Sequence, residues 1–346
     1  MPKLNYRPYQ PEDAEKLCRL QAAVFGIART PDYWQWKYRA NPAGDDRTWV
    51  AEDAETGSIV GMNGLVPIRV GVRGEQMTAL QSLDIAVEED YRRHFVHLEI
   101  ARRQDSSDCA FVFAFGETVT VKVSTALMGY IAVGPTPRVA KPLSLQPCVP
   151  PRWRAVARLG DPAFRWVARG RAVSPPSGAE IVPISRFDER YDGFWREQAT
   201  SYPLAVWRDS AYLNWRYLDV PEEGYESFGV ERQGEILGFT VLHLVSVAGR
   251  PRGRILELAA ANDDPAITRA LLSHAVGRFI ERGAEMAAAW IFASDPRWSA
   301  MRELGFVSRP RAGRQMVVLP VSSAVPPEMA ANAANWRISW GDSVEG

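Results

Sequence analysis

Tyr33-Trp34-Gln35-Trp36-Lys37-Tyr38-Arg39-Ala40-Asn41-Pro42 and Tyr212-Leu213-Asn214-Trp215-Arg216-Tyr217-Leu218-Asp219-Val220-Pro221 are one pattern written twice, Y-x-x-W-[KR]-Y-x-x-x-P, 179 residues apart. Three more anchors follow each copy in the same order. Gly61 after Ser58-Ile59-Val60 matches Gly238 after Glu235-Ile236-Leu237. Asp84 in Leu83-Asp84-Ile85-Ala86 matches Glu257 in Leu256-Glu257-Leu258-Ala259, and Leu127-Met128-Gly129-Tyr130 matches Glu303-Leu304-Gly305-Phe306. Ordered anchors at a nearly constant offset identify an internal duplication, the reading that governs everything else.

Each copy carries the same sequence of element signals. In the first, Leu4–Tyr9 reads as a strand, Pro11 and the acids after it open a helix, and Asp32 caps the Trp-bearing helix. Strands follow at Trp49–Glu52, Ile59–Val70 and Met77–Val87, then a helix over Phe95–Arg103, a strand over Ala110–Phe115 and a helix over Val119–Met128. The second copy repeats this order from Ile181 to the strands after Gly305. The expected fold class is α/β with mixed sheets, built as two tandem domains. The expected boundaries are 1–142 for the first domain, 143–178 for a linker, 179–322 for the second domain and 323–346 for a loosely attached tail.

At 346 residues the chain is long enough for two cores. Lys plus Arg and Asp plus Glu both number 41, so no global field draws it to nucleic acid or to a membrane. Cys18, Cys109 and Cys148 form neither a disulfide framework nor a zinc set. The N-terminus lacks a signal-peptide core, and no apolar run is long enough to span a bilayer. A reduced, soluble, cytoplasmic protein is expected. The linker is the exception to the even charge: Arg152, Arg154, Arg158, Arg165, Arg169 and Arg171 stand against Asp161 alone, interleaved with Trp153, Val156, Leu159, Phe164 and Trp166. It reads as an ordered strap between domains, with a basic aromatic patch meeting a membrane surface or an anionic substrate as the alternative.

The element order, with an acid on the fourth strand and a Gly-aromatic step after the last helix, resembles the GNAT N-acetyltransferase superfamily, and the resemblance spans nearly the whole chain. It implies that the fourth strand runs into a phosphate-binding loop, often R-x-x-G-x-G/A, which opens the next helix and holds the pyrophosphate of acetyl-CoA or another acyl-CoA on backbone amides. The corresponding candidates here are Ile85, Ala86, Val87, Arg92, Arg93, His94, Phe95 and Val96. Arg93 and Phe95 stand where glycines usually sit. The second copy, Asn262-Asp263-Asp264-Pro265, has neither glycine nor cation until Arg269, so the first half is the better cofactor site. Thr125 and Met301 replace the Tyr that protonates the departing thiolate in many members.

Asp84 is the leading candidate for a catalytic base, a charged residue mid-strand among apolar neighbours, with Glu257 as its repeat-mate. Its structural alternative is a partner for Arg69 or Arg73. Tyr33, Trp36, Tyr212 and Trp215 lie on helices that, in this family, border the acceptor groove; aromatic residues at that spacing also serve as core. His94, His97 and Glu99 lack a further ligand at metal-binding spacing. The expected activity is acyl transfer from CoA to an amine of a small molecule or amino sugar. The alternatives are a degenerate tandem protein acting as a scaffold and a Fem-type transferase using aminoacyl-tRNA. An open split between the fourth and fifth strands, lined by Ile85–Val87, favours the enzyme; a split plugged by Phe95 or Tyr91 favours the scaffold.

Overall fold

The computed structural model describes residues 2–136, 138–309 and 314–344. The first half runs β1 (Leu4–Pro8), α1 (Ala14–Phe25), α2 (Pro31–Tyr38), β2 (Trp49–Asp53), β3 (Ile59–Val72), β4 (Glu75–Val87), α3 (Val96–Ala101), β5 (Phe111–Gly116), α4 (Thr118–Leu127), β6 (Ile131–Pro135) and β7 (Arg138–Pro142). A helix, α5 (Arg154–Arg169), bridges to β8 (Glu180–Pro183). Then come α6 (Glu189–Ala199), β9 (Leu204–Val206), α7 (Ser210–Tyr217), β10 (Tyr225–Arg232), β11 (Glu235–Val247), β12 (Arg250–Ala260), α8 (Pro265–Glu281), β13 (Met286–Trp290), α9 (Arg297–Glu303), β14 (Val307–Arg309) and β15 (Gln315–Pro320). The chain closes with α10 (Pro327–Ala331) and β16 (Trp336–Arg337). The duplication read from the sequence is thus a repeated α/β unit with mixed strand directions.

The sheets do not divide where the sequence does. One sheet runs β1-β2-β3-β4-β5-β15-β6, with β9 on β3 and β16 on β9, and the other runs β8-β10-β11-β12-β13-β7-β14, so the second half gives β15, β9 and β16 to the first sheet and the first half gives β7 to the second. Gln315–Pro320 pairs antiparallel with β5 from Gln315↔Gly116 to Pro320↔Phe111, and Arg138–Pro142 pairs with β13 from Arg138↔Trp290 to Pro142↔Met286. A boundary after residue 142 therefore cuts β7 from its own sheet. Two β-ladders replace a flexible joint.

The Trp helices lie at the centre of this exchange. Trp36 Nε1–H donates to the Trp215 carbonyl at 2.6 Å and Trp215 Nε1–H donates to the Trp36 carbonyl at 2.9 Å, with the rings stacked 5.3 Å apart. A buried indole needs a partner for its N–H, and here each copy of the motif supplies the other's. The paired glycines have an equally local cause. A Cβ on Gly61 would sit 2.6 Å from Val96 Cγ1, and one on Gly238 would sit 2.9 Å from Ile267 Cγ2. Both permit the helix after the fourth strand, α3 or α8, to lie close on its sheet.

The C-terminal segment, expected to hang loosely, is core. Val325, Ala330, Ile338 and Val344 are all buried, and Trp336 packs edge-on against Phe111. Its apolar residues are too few to register as an element, yet each enters a space between the sheets.

Candidate functional site

The first half contains an open split. β4 and β5 are parallel and paired at Leu80↔Val112 and Gln81↔Phe113, after which they diverge. The diverging edges leave a cleft of about 340 Å³, with Leu83, Asp84 and Ile85 on one side and Ala114, Phe115 and Gly116 on the other. Gln21, Phe25, Ile27, Arg29 and Tyr33 close one end, and Glu117, Thr120 and Arg314 the other. Neither Phe95 nor Tyr91 fills it. Phe95 is 66% exposed, and Tyr91 turns away to donate its hydroxyl to Asp53 Oδ2 at 2.7 Å.

Asp84 stands on a bulge in β4. The β3–β4 register slips between Met62↔Ala86 and Gly64↔Leu83, and Asp84 has φ +52°, a left-handed backbone that costs an L-residue about 1 kcal/mol. The bulge turns a carboxylate toward the cleft. Lys37 Nζ and Tyr38 Oη both donate to its Oδ2 at 2.6 Å. Arg69, a partner considered from the sequence, pairs instead with Asp209 at 2.6 Å. Lys37 and Tyr38 are almost fully enclosed, while the Asp84 side chain retains 11% exposure. Burial, with the nearby Asp84 charge, raises the Tyr38 hydroxyl pKa well above its usual value, so Tyr38 is a fixed donor.

The other cleft residues come from distant parts of the chain. Tyr33 lies under the Arg29 guanidinium, 4.1 Å from its ring centroid, and Arg29 is paired with Glu222 of the second half. Arg314 enters beside β15, and burial lowers its pKa while Glu117 and Asp84 act in the opposite direction. Sequence reasoning missed Arg29 and Arg314: Arg29 lies between α1 and α2 with no pattern to mark it, and Arg314 arrives beside the exchanged strand β15. Lys37 and Tyr38 carried a usable signal: Tyr38 with Asp84 is repeated as Tyr217 with Glu257.

The loop after β4 is a short 3₁₀ turn over Glu89–His94 leading to Phe95, whose φ is +55°. Phe95 thus adopts the glycine-type backbone expected of this position and points its ring outward. Arg92 and Arg93 are exposed, with Arg92 Nε donating to the Val87 carbonyl at 3.1 Å. No side chain caps the start of α3. Burial pushes His97 down to about 4, so it adds no charge near neutral pH.

The second split is built alike and filled. β12 and β13 are paired over Gly253–Ile255 and Ala287–Ala289 before they part. Glu257 there accepts Tyr217 Oη at 2.6 Å, Arg208 Nε at 2.7 Å and Ser339 Oγ at 2.8 Å, leaving its side chain 2% exposed. Trp340 stacks on Trp290 at 5.0 Å, and a side chain on Gly341 would collide with the Tyr217 hydroxyl and Glu257 Oε1, so only glycine fits. Arg216, the repeat-mate of Lys37, bonds the Gly341 and Ser343 carbonyls. At the start of α8, Asp264 Oδ1 already accepts the Ala266 and Ile267 amides. Tyr212 is buried beneath the same segment, with its hydroxyl 3.5 Å from the Gly341 carbonyl. Of the four aromatic residues expected at an acceptor groove, Tyr33 lines the open cleft, Trp36 and Trp215 face each other, and Tyr212 underlies the plug.

Residues 5–107 match the family model described as an acetyltransferase (GNAT) domain. Among solved structures, the Saccharomyces cerevisiae N-myristoyltransferase with bound myristoyl-CoA is similar at TM-score 0.62 and 15% identity, over 98% of this chain and 84% of that one. A GCN5-related N-acetyltransferase from Anabaena variabilis is similar at TM-score 0.62 and 11% identity, over 92% and 73%. One from Kribbella flavida is similar at 0.61 and 14%, over 96% and 74%. No curated protein matches the sequence. Among the described residues, no helix is long and apolar enough to cross a membrane.

Proposed function

We propose that this tandem member of the GNAT superfamily is an N-acyltransferase with one working site, in the first half, that moves the acyl group of an acyl-CoA onto an amine. One observation carries the reading: the split beside Asp84 is open, whereas the matching split beside Glu257 is filled by the chain itself.

For the cofactor, the reading assigns the unpaired edge of β4 at Ile85, Ala86 and Val87 to the pantetheine arm. The pyrophosphate goes to the His94, Phe95 and Val96 turn with Arg92 and Arg93. The fit rests on contrast, since the α3 amides lack a side-chain cap while those of α8 are occupied by Asp264. Asp84 is assigned as the base. Its Oδ2 is held by Lys37 and Tyr38, and Oδ1 receives the proton of the acceptor ammonium. The freed nitrogen attacks the thioester carbonyl carbon and the C–N bond forms; the nitrogen of the adduct gives its second proton to water as the C–S bond breaks, and the sulfur leaves as thiolate. The Thr125 hydroxyl donates to the Val121 carbonyl at 2.9 Å, so the thiolate takes its proton from water. A cleft of this size, with Phe25, Ile27 and Phe115 beside Arg29, Asp84 and Glu117, suits a small amine such as an amino sugar; acetyl is the assigned group.

Calorimetric titration with acetyl-CoA, alongside an Arg92→Ala/Arg93→Ala variant, tests the cofactor assignment. Micromolar binding that the variant loses supports it. No heat from the wild-type protein at millimolar acetyl-CoA overturns it, and heat only with longer acyl-CoAs corrects the acyl group.

A further inference from the structure

Helix α5 carries apolar residues on both of its sides. On the side facing the protein, Ala168 is buried in the core and Phe164 packs against it, while Asp161, also buried, accepts from Ser144 Oγ at 2.9 Å, the Leu145 amide at 2.8 Å and Gln146 Nε2 at 2.8 Å. Arg165 donates to the Ile280 and Gly283 carbonyls at 3.1 and 3.3 Å. Its other side is bare hydrocarbon. Val156, Leu159, Trp166 and Val167 are 57%, 84%, 79% and 66% exposed, and Trp153, just before the helix, is 53% exposed. Ala155, Pro162 and Ala163, all exposed, complete an unbroken apolar stripe. A surface helix ordinarily turns that stripe inward, so this face is built to be covered.

We propose that α5 docks the protein on an anionic lipid surface, lying in the plane of the headgroups. This goes beyond the transferase reading and stands without it. Charge chooses the occupant. In the stretch 152–171 six arginines stand against Asp161, and that one acid points inward, in a chain whose overall charge balances. Arg152, Arg158 and Arg171 are exposed, and Arg169, also exposed, is shared with Glu281 at 3.1 Å, so cations accompany the stripe, as an in-plane helix on anionic lipid requires. The exposed indoles of Trp153 and Trp166 suit the headgroup level. A second copy of the chain is a poorer occupant, because two-fold contact would set this arginine-rich stretch against itself.

The test is sedimentation with phosphatidylcholine vesicles made with and without phosphatidylserine, with light scattering to fix oligomeric state. The wild-type protein is expected to pellet with the anionic vesicles and to release as salt rises. Leu159→Asp/Trp166→Asp should abolish pelleting while the thermal melt stays unchanged, since both side chains already face solvent. Arg158→Ala/Arg169→Ala leaves the stripe intact and should weaken partition about fivefold for each arginine removed. The proposal is overturned by a wild-type protein that ignores anionic vesicles, by variants that bind them as well as wild type, or by a lipid-free dimer that Leu159→Asp/Trp166→Asp dissolves.

Discussion

Asp84 and Glu257 occupy the same position in two copies of one fold, and each accepts a hydrogen bond from the tyrosine of its own Trp helix. What separates them is the company each keeps. Asp84 borders open space, whereas Glu257 is sealed by Arg208, Ser339 and the turn at Gly341. The same carboxylate geometry therefore stands either beside open space or as the keystone of a buried polar network. A tandem fold lets the two copies differ in this way; the residues after each acid favoured the first copy, but they did not reveal the segment that fills the second.

The comparison breaks most directly at Asp84. Asp84→Asn should lower kcat/KM by about 10²- to 10⁴-fold with little change in melting temperature, measured by steady-state acylation of whichever amine proves active. Equal turnover in this variant would remove Asp84 from the chemistry. Glu257→Ala should do the reverse. It leaves the buried Tyr217 and Ser339 hydroxyls without their acceptor and Arg208 with Asp342 as its remaining carboxylate, so chemical denaturation should register a loss of about 1–3 kcal/mol for each stranded hydroxyl while acyl-CoA affinity in the first half holds.

The bond between the copies sharpens the contrast further. In a double-mutant cycle, Trp36→Phe and Trp215→Phe should each be destabilising, with a coupling of about 0.5–3 kcal/mol, because each ring both stacks on and donates to the other. Strict additivity would mean the reciprocal pair is incidental.

The smallest effect concerns pH. Burial, with the nearby Glu257 charge, raises the Asp342 carboxyl pKa against the pull of Arg208. A carboxyl whose folded-state pKa lies above its unfolded value binds more protons when folded, so its contribution to stability falls as pH rises between those two values. Hydrogen-exchange protection factors in the 339–343 segment, with the base-catalysed intrinsic rate divided out, should then be higher near pH 5 than near pH 7, and Asp342→Asn should flatten that difference. Asp295, pushed down to about 2 chiefly by the Arg297 and Arg337 charges overcoming its burial, titrates too low to interfere.

Much of the fold was legible because its signals are local. Strand and helix spans read from periodicity lie within a few residues of those observed for β2 to β5 and for α4, and the duplicated anchors set the tandem order. The strand exchange was not legible. Gln315–Pro320 has the same alternation whichever sheet it joins, so its destination depends on packing between the halves. Asp84, Tyr33 and the loop after β4 were nameable from pattern and resemblance. Arg314 was not, since it reaches the cleft only beside a strand exchanged between the halves, nor was Arg29, which no pattern marks in the segment between α1 and α2. The closing segment was misjudged for a related reason: Trp336, Ile338 and Trp340 alternate with polar residues as a strand does, but over only five residues, and their burial comes from contacts with both halves.

The reciprocal placement of β7 and β15 also constrains how the protein is made. During synthesis the first sheet cannot close until residue 320 has left the ribosome, although β5 and β6 emerge nearly two hundred residues earlier. Until then the nascent chain holds two apolar strand edges apart with nothing between them, the arrangement most prone to mispairing with a neighbouring chain. Slow or interrupted translation between residues 142 and 315 is therefore where this protein is most exposed to aggregation and to chaperone capture.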